Sequence, residues 1–333
     1  MLLDGKIKFG DEVAVALNNG GAVVALESAL ISGSTPYPRN LETARAVESA
    51  VRSEGAVPAM IGVVAGCLTI GMTTDEQETF AESANRVVKA STRDLPIVLA
   101  QGAHGATTVS ATLLCASKAG IRVFAGGAIG GVHRGYADQL DISPDLDEIA
   151  RQDVAVVCTG AKAILDVSNT IEYLETRGVP VIGYRIGDFP AYYAGTGIPV
   201  DGRAESPHEI ADIMDTKWSL GLPGGILVVN AIPDGFALDP KETEKNIAVA
   251  LGEATQQRIK GKAITGFLLK RLFAQTEGRA LEAGLAAVQS NAHLAARVAV
   301  EYAAIARNSA KTNGLAAWLP AASAPPRIKT KQG

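Results

Sequence analysis

The stretch Val154-Ala-Val-Val-Cys-Thr-Gly-Ala-Lys162 joins an apolar run to a glycine turn and a lysine. A short, β-branched apolar run followed by a segment of helical period is typical of a buried strand in an α/β protein. Similar runs lie on both sides of it in the chain, at residues 22–26, 58–64, 97–100, 123–125, 179–184 and 226–230. Because most of them are continuous rather than alternating, we expect helices on both faces of a mostly parallel sheet.

Segments of helical period separate these predicted strands. They cover residues 41–54, 75–83, 107–119, 165–177, 207–220, 240–259 and 281–307. Residues 67–71 lie close behind a predicted strand and a turn at Gly66, which predicts an antiparallel hairpin at one edge and therefore a mixed sheet. We expect one catalytic α/β domain over residues 1–307. The chain then turns to Ala, Ser, Pro and Lys, so residues 308–333 are predicted to be a poorly ordered tail.

The bulk composition indicates a soluble, cytoplasmic protein. A formal net charge of −4 over 333 residues gives no electrostatic reason to expect nucleic acid or a membrane surface as a partner. We see no secretory signal, and the apolar runs are too short to cross a bilayer. Cys67, Cys115 and Cys158 are far apart and lie in apolar runs, which favours reduced thiols over disulfides or a zinc site.

Lys162 follows the end of a predicted buried strand, where α/β folds place their ligand crevices. Burial there disfavours the ammonium form and leaves an amine able to form a Schiff base with a sugar aldehyde. A surface lysine with its ammonium group in solvent is the alternative interpretation.

Glu27 ends the apolar run Gly21-Ala-Val-Val-Ala-Leu-Glu27. A carboxylate in a partly desolvated crevice has a raised pKa, which suits a general acid. An exposed glutamate at a strand end fits the pattern equally well.

The segment Gly126-Gly-Ala-Ile-Gly-Gly-Val-His-Arg-Gly135 has five glycines in ten residues directly after a strand. Such a loop lets the backbone approach a ligand and present N–H groups to an anion, while His133 and Arg134 add a titratable group and a cation. The spacing does not fit GxGxxG, so a dinucleotide site is not expected. The alternative is a plain flexible loop.

Asp141-Ile-Ser-Pro-Asp145 places two carboxylates and a hydroxyl on a turn before a helix. Such oxygens can coordinate a hard cation. Ser143 and Pro144 also make a good N-cap and first helical residue, and the two roles are compatible.

Taken together, these segments resemble the pseudouridine-5′-phosphate glycosidase family, also called indigoidine synthase A-like. The matches run in order through Ala25-Leu-Glu-Ser28, Pro36-Tyr-Pro38 with Asn40, Gly105-Ala-Thr-Thr-Val109, Ile129-Gly-Gly-Val-His-Arg-Gly135, Asp141-Ile-Ser143, Gly160-Ala-Lys162 and Pro180-Val-Ile-Gly-Tyr184. The resemblance implies a three-layer α/β/α fold with a mixed, mostly parallel sheet, a homotrimer, and a divalent metal such as Mn²⁺.

The resemblance also implies roles for single residues. Lys162 would attack the anomeric carbon of ribose 5-phosphate and hold the opened sugar as a Schiff base, and Glu27 would transfer a proton to or from an aromatic aglycone. Asp141 matches the metal position. The matched substrate-binding positions are Lys89, Val109, His133, Ser143, Pro144 and Asp145.

Several positions depart from the family pattern. The family commonly has Thr, His-Gly, Thr, Arg and Asn where this chain has Ala29, Gly33-Ser34, Gly126, Gly195 and Gly284. These changes remove hydrogen-bonding side chains that a uracil site would use. We therefore expect a C-glycosynthase of a natural-product pathway, like the alnumycin-type C-ribosylating enzyme, with an aglycone other than uracil. The alternatives are an ordinary pseudouridine-5′-phosphate glycosidase and an inactive paralogue that only binds a sugar phosphate.

Overall fold

A computed structural model describes residues 6–33, 35–136, 140–193, 195–259 and 261–312. The strands are β1 Ile7–Phe9, β2 Val23–Glu27, β3 Val57–Val64, β4 Cys67–Ile70, β5 Val88–Ala90, β6 Gly105–Thr107, β7 Val123–Ala125, β8 Val132–His133, β9 Ala155–Cys158, β10 Leu165–Asp166, β11 Val181–Tyr184, β12 Asp188–Pro190, β13 Gly195–Pro199, β14 Gly202–Ala204 and β15 Ile226–Asn230. The helices are α1 Asp11–Asn18, α2 Ala29–Ser32, α3 Arg39–Ser53, α4 Thr74–Glu82, α5 Leu95–Ala100, α6 Val109–Lys118, α7 Pro144–Arg151, α8 Val167–Thr176, α9 Pro207–Ser219, α10 Pro240–Gln256, α11 Lys262–Gln275 and α12 Arg279–Thr312.

Eleven of these strands form one mixed sheet. Its order is β1-β4-β3-β2-β7-β9-β15-β11-β14, and β6 pairs with β3 and with β5. Strands β4 and β6 run antiparallel to β3, whereas the other pairs are parallel. The predicted mixed, mostly parallel sheet is therefore confirmed.

Strand β9 shows why the sheet has two covered faces. Its side chains alternate, so Val156 and Cys158 join one apolar cluster while Ala155 and Val157 join the other. Helices α1, α5, α6, α7, α8, α10 and α11 contribute buried side chains to the first cluster, and α2, α3, α4 and α9 to the second. Helix α12 contributes Ala280 and Ala283 to the first cluster and its later residues to the second. Each fully buried valine stabilises the fold by about 1.5–3 kcal/mol. The three layers follow from this double burial.

Two sequence predictions need correction. Residues 97–100 were predicted as a strand, but they end helix α5; Pro96 lies in its first turn, and Ile97 is 53% exposed. A four-residue apolar run cannot distinguish the two structures by its period. The hairpin of β3 and β4 is antiparallel as predicted, but β1 pairs beyond β4, so the hairpin is not the sheet edge.

Several boundaries also differ. The helix predicted over residues 165–177 begins with the short strand β10, and Asp166 caps α8 by accepting a hydrogen bond from the Asn169 N–H. The sequence did not predict α1, β1 or α11. Helix α12 includes residues 308–312 of the predicted tail, and residues 313–333 lie outside the described residues. No helix among the described residues is both long and apolar enough to cross a membrane.

Candidate active site

The predicted crevice lies where three neighbouring parallel strands end. Strands β2, β7 and β9 are adjacent, and their carboxyl ends lead into Glu27, the glycine segment from Gly126 and the turn that carries Lys162. Carboxyl ends of parallel strands meet at one edge of the sheet. The topology therefore brings together the two residues that were predicted to be catalytic.

Lys162 is held on a constrained turn beside the glycine loop. Its backbone N–H donates to the Ile129 carbonyl, and its ammonium Nζ lies 3.2 Å from the Ala128 carbonyl oxygen, to which it donates. The turn needs Gly160, since φ there is +69° and a Cβ would lie 1.9 Å from the Pro190 carbonyl oxygen. The side chain is half-buried. Lys162 thus lines the crevice and does not extend into solvent.

Glu27 ends strand β2 with its carboxylate half-buried in the same crevice. Burial raises the pKa of this carboxyl from 4.5 to about 7, and the negative charge of Asp145 adds to the rise, against the lowering effects of Lys162 and Lys89. The backbone N–H of Val109 donates to the carboxylate. Near neutral pH, Glu27 therefore exists in both protonation states, as a general acid–base needs.

Helix α6 directs its first N–H groups at two carboxylates. Val109 donates to Glu27, and Ser110 donates to Asp145 Oδ1 at 2.9 Å. The first N–H groups of a helix lack partners within it, so acidic groups are stabilised there. The structure thus gives Val109, predicted to bind substrate, a contact with the Glu27 carboxylate.

Asp145 is buried and joins helix α6 to the glycine loop. Its second oxygen accepts from the Gly130 N–H at 2.9 Å. A Cβ on Gly130 would lie 2.2 Å from Ser143 Oγ and 2.8 Å from Asp145 Oδ2, so only glycine fits there. The carboxylate of Asp145, also predicted to bind substrate, is occupied by two backbone donors.

The expectation that the glycine loop presents its N–H groups to an anion is wrong for half of its ten residues. Five of these N–H groups donate to protein acceptors; they belong to Gly126, Ile129, Gly130, Val132 and His133. Arg134 is not a free cation either, because it pairs with Glu244 and donates to the carbonyls of Ala163 and Leu165. The loop is a rigid wall of the crevice.

His133 lies on β8, paired with β10 beside the lysine turn. Burial lowers the pKa of His133, and the positive charge of Lys162 lowers it further, although Asp141 opposes both. The imidazole Nδ1 is 4.0 Å from Asp141 Oδ2. His133 is therefore neutral near pH 7 and faces the crevice as a hydrogen-bonding group.

The described residues contain no cluster of three or more His, Cys, Asp or Glu side chains that could hold a metal. Asp141 is half-buried near His133, while Asp145 is committed to backbone N–H groups. One carboxylate and one imidazole, completed by water or substrate oxygens, suit a cation such as Mn²⁺. The donor set is compatible with the predicted metal and does not by itself require one.

The remaining residues predicted to bind substrate are Lys89, Ser143 and Pro144, at the margin of the crevice. Lys89 is exposed on β5 and acts on Glu27 through its charge. Ser143 is the N-cap of α7 and accepts from the Asp145 N–H at 3.3 Å, with exposed Pro144 as the first helical residue. The structural role predicted for this pair is confirmed.

Sequence reasoning missed Asn291, which is fully buried on α12. Its amide nitrogen donates to Gly126 O at 2.8 Å and to Thr159 Oγ1 at 3.0 Å, and its oxygen accepts from Asn230 Nδ2 at 3.1 Å. An asparagine in the middle of an alanine-rich helix was the available signal, because a buried amide is retained only with partners.

Comparison with known proteins places this site in a family. The model of the family described as indigoidine synthase A like protein matches residues 12–301. The chain belongs to this family. Pseudouridine-5′-phosphate glycosidases from Caldanaerobacter subterraneus subsp. tengcongensis and Methylobacterium nodulans are each 52% identical to it, over 89% and 88% of this chain and 96% and 87% of theirs.

Two solved structures share the indigoidine synthase A-like fold. The prealnumycin C-glycosynthase in complex with ribulose 5-phosphate is 40% identical, with a TM-score of 0.84 over 91% of this chain and 98% of its own. An indigoidine synthase A-like protein from Thermotoga maritima is 33% identical, with a TM-score of 0.81 over 89% and 96%. The predictions of the family, the α/β fold and an enzyme of the pseudouridine-5′-phosphate glycosidase type are confirmed.

Proposed function

We propose that this enzyme makes or breaks the C-glycosidic bond between ribose 5-phosphate and an aromatic aglycone, with Lys162 as nucleophile and Glu27 as proton donor and acceptor. The proposal rests mainly on one observation. The Lys162 amine and the Glu27 carboxyl, whose pKa is about 7, lie at the same edge of the sheet. The similarity to pseudouridine-5′-phosphate glycosidases and to the prealnumycin C-glycosynthase supports it.

In the direction of synthesis, the Lys162 amine condenses with the aldehyde of open-chain ribose 5-phosphate and releases water. The aglycone carbon then adds to C1 of the imine, and its proton passes to ionised Glu27. The sugar hydroxyl finally displaces the lysine nitrogen and closes the ring. Cleavage runs through the same steps in reverse and needs protonated Glu27.

Reduction with borohydride in the presence of ribose 5-phosphate tests this mechanism. We expect a reduced pentose-phosphate adduct on Lys162, found by mass spectrometry of the digested protein. Lys162→Ala should give none, while Lys118→Ala, an exposed lysine on α6, should match the wild type. Absence of an adduct, under conditions where a known glycosidase gives one, would overturn the mechanism. A different pair of results would support an inactive paralogue that only binds the sugar phosphate. These are unchanged affinity for ribose 5-phosphate in Lys162→Ala and no turnover by the wild type with any aglycone.

The relatives' names favour cleavage of pseudouridine 5′-phosphate to uracil and ribose 5-phosphate as the reaction. A second candidate is synthesis with a different aromatic aglycone, which the glycines at positions 126, 195 and 284 favour because they remove polar groups a uracil ring would use. Supplying pseudouridine 5′-phosphate separates the two. Rapid release of uracil supports the glycosidase, and its absence despite adduct formation supports the synthase.

The predicted cation and assembly complete the proposal. Asp141 would supply a carboxylate ligand to Mn²⁺, which would stabilise negative charge on the substrate when bound. Activity should then fall on chelation and return with added Mn²⁺.

The homotrimer would be seen by light scattering as three times the 34.4 kDa chain mass.

A further inference from the structure

Tyr192 occupies a space that two glycines create. Its backbone is left-handed, with φ of +61°, and its hydroxyl donates to the Gly284 carbonyl oxygen at 3.4 Å. A Cβ at either Gly127 or Gly284 would lie 3.0 Å from this hydroxyl oxygen. A non-glycine residue at positive φ is uncommon and is retained where the surrounding structure fixes it. The hydroxyl is therefore directed into a defined space between the glycine loop and helix α12.

This space adjoins the two catalytic groups. Three consecutive loop residues each face one functional side chain. A Cβ on Gly126 would lie 3.8 Å from Glu27 Oε1, one on Gly127 would face the Tyr192 hydroxyl, and the Ala128 carbonyl accepts from Lys162 Nζ. The negative charge of Glu27 raises the pKa of Tyr192, and the charge of Lys162 lowers the pKa of Glu27, so the three groups lie close enough to interact.

The Tyr192 hydroxyl is a hydrogen-bond donor that keeps its proton. Burial raises the pKa of Tyr192, and the negative charge of Glu27 raises it further. Its present acceptor is a carbonyl at 3.4 Å, beyond the usual range for an O–H donor. A substrate oxygen nearby would be a better partner.

The proposed reaction requires such an oxygen. A ring carbon adds to an imine readily when a neighbouring carbon bears an enol, phenol or amide oxygen that supplies electron density. In uracil this is the carbonyl oxygen next to the reacting carbon, and in a phenol it is the ortho hydroxyl. We propose that Tyr192 is a further catalytic and specificity-determining residue, whose hydroxyl hydrogen-bonds to the aglycone oxygen beside the carbon that is joined to ribose.

The step balances without a further reactant. In cleavage, the bond between C1 and the ring carbon breaks, and its electron pair passes to the ring carbon and onto the neighbouring oxygen, which the Tyr192 O–H stabilises. Glu27 then delivers its proton to the ring carbon. In synthesis the electrons move in the opposite direction, and Tyr192 stays protonated throughout.

Tyr192→Phe tests this role, which rests on the proposed function. We expect kcat for aglycone transfer to fall about 100-fold, the loss typical of one donor to a developing oxyanion. Formation of the borohydride-trapped ribose 5-phosphate adduct on Lys162 should be unchanged, since that step precedes the aglycone. Tyr193→Phe is the matched control, because the Tyr193 hydroxyl is buried without a hydrogen-bond partner, and it should keep full activity.

A panel of acceptors tests the specificity. The wild type, with ribose 5-phosphate, should couple uracil or 1,3-dihydroxynaphthalene, which carry oxygen beside the reacting carbon, but not indole, which carries none. Equal use of indole, no coupling of either oxygen-bearing ring, or full activity of Tyr192→Phe would each overturn the inference. Failure of the proposed function is distinct, since it appears as absence of the lysine adduct in the wild type.

Gly284→Ala gives a second test that does not depend on loss of folding. Alanine is the better helix former, and the new methyl would press on the Tyr192 hydroxyl at 3.0 Å. We expect kcat to fall at least 10-fold while the thermal midpoint holds or rises and adduct formation persists. Unchanged kcat in this variant would also count against the assignment.

Discussion

The amide nitrogen of Asn291 donates to the carbonyl oxygen of Gly126 at 2.8 Å, so helix α12 fixes the loop beside Glu27. The same amide also contacts Gly127, Thr159 and Asn230. A buried amide with all its partners in place rigidifies the groups around it. The geometry of the crevice therefore depends on a residue that does not face the substrate.

Asn291→Ala should be strongly destabilising. It leaves buried carbonyl and hydroxyl groups without partners, so we expect a loss of about 2–4 kcal/mol in the free energy of unfolding, together with most of the activity. Urea unfolding would measure the loss. Ser290→Ala is the neighbouring control, since among the described residues Ser290 accepts a single hydrogen bond, from Asn230, and it should lose less than about 1 kcal/mol. Equal effects of the two changes would contradict this account.

The pH dependence of the reaction should identify its direction. Because the pKa of Glu27 is about 7, kcat/KM for cleavage, which needs the protonated acid, should fall as the pH rises through 7. For synthesis, which needs the carboxylate, it should fall as the pH drops through 7. Rate profiles between pH 5 and 9 in both directions would check this. A profile that is flat around pH 7 in both directions would contradict the role of Glu27.

Asp145→Asn should shift the pH profile of kcat/KM. The negative charge of Asp145 raises the pKa of Glu27, so its removal should move the change in rate near pH 7 to lower pH. The variant retains one acceptor oxygen for the N–H groups of Ser110 and Gly130 and should fold with reduced stability. Asp147→Asn, also on α7, is the control and should leave the profile in place. A shift to higher pH would be inconsistent with the electrostatics described.

Glu27→Gln should stabilise the protein in a pH-dependent way. The folded-state pKa of Glu27 is raised from 4.5 to about 7, so its contribution to stability is full below 4.5 and is lost as the pH rises through 7. Glutamine stays neutral, and its advantage should therefore be small at pH 5 and reach roughly 3 kcal/mol at pH 8. Thermal unfolding at the two pH values would show this, with exposed Glu42→Gln as a control without such dependence.

The sequence predicts those parts of the fold whose pattern is local and strong. The continuous apolar run before Lys162 has one reasonable interpretation, and β7 and β15 match their predicted bounds. The run at 97–100 is too short for its period to decide, and Pro96 favoured the helix that forms. Short strands such as β5 and β6 depend on pairing with distant residues, and local sequence carries little of that information.

The sequence likewise predicts only those site residues whose position follows from the strand pattern. Lys162 and Glu27 follow apolar strands, so topology alone brings them to one edge. The partners of Asp145 and Asn291 could not be found in this way, because they are backbone groups and side chains 15 or more residues distant in the chain. The positive φ of Tyr192 likewise has no signature in sequence.

The bond between Gly126 and Asn291 spans 165 residues of the chain. During translation, the loop, Glu27 and Lys162 leave the ribosome well before the helix residue that fixes the loop. A nascent chain that ends before residue 291 can contain every group the chemistry uses and still lack the amide that holds the loop in place. Catalytic competence would therefore be acquired only after residue 291 has been synthesised, and long-range closure of this kind is a slow event in folding.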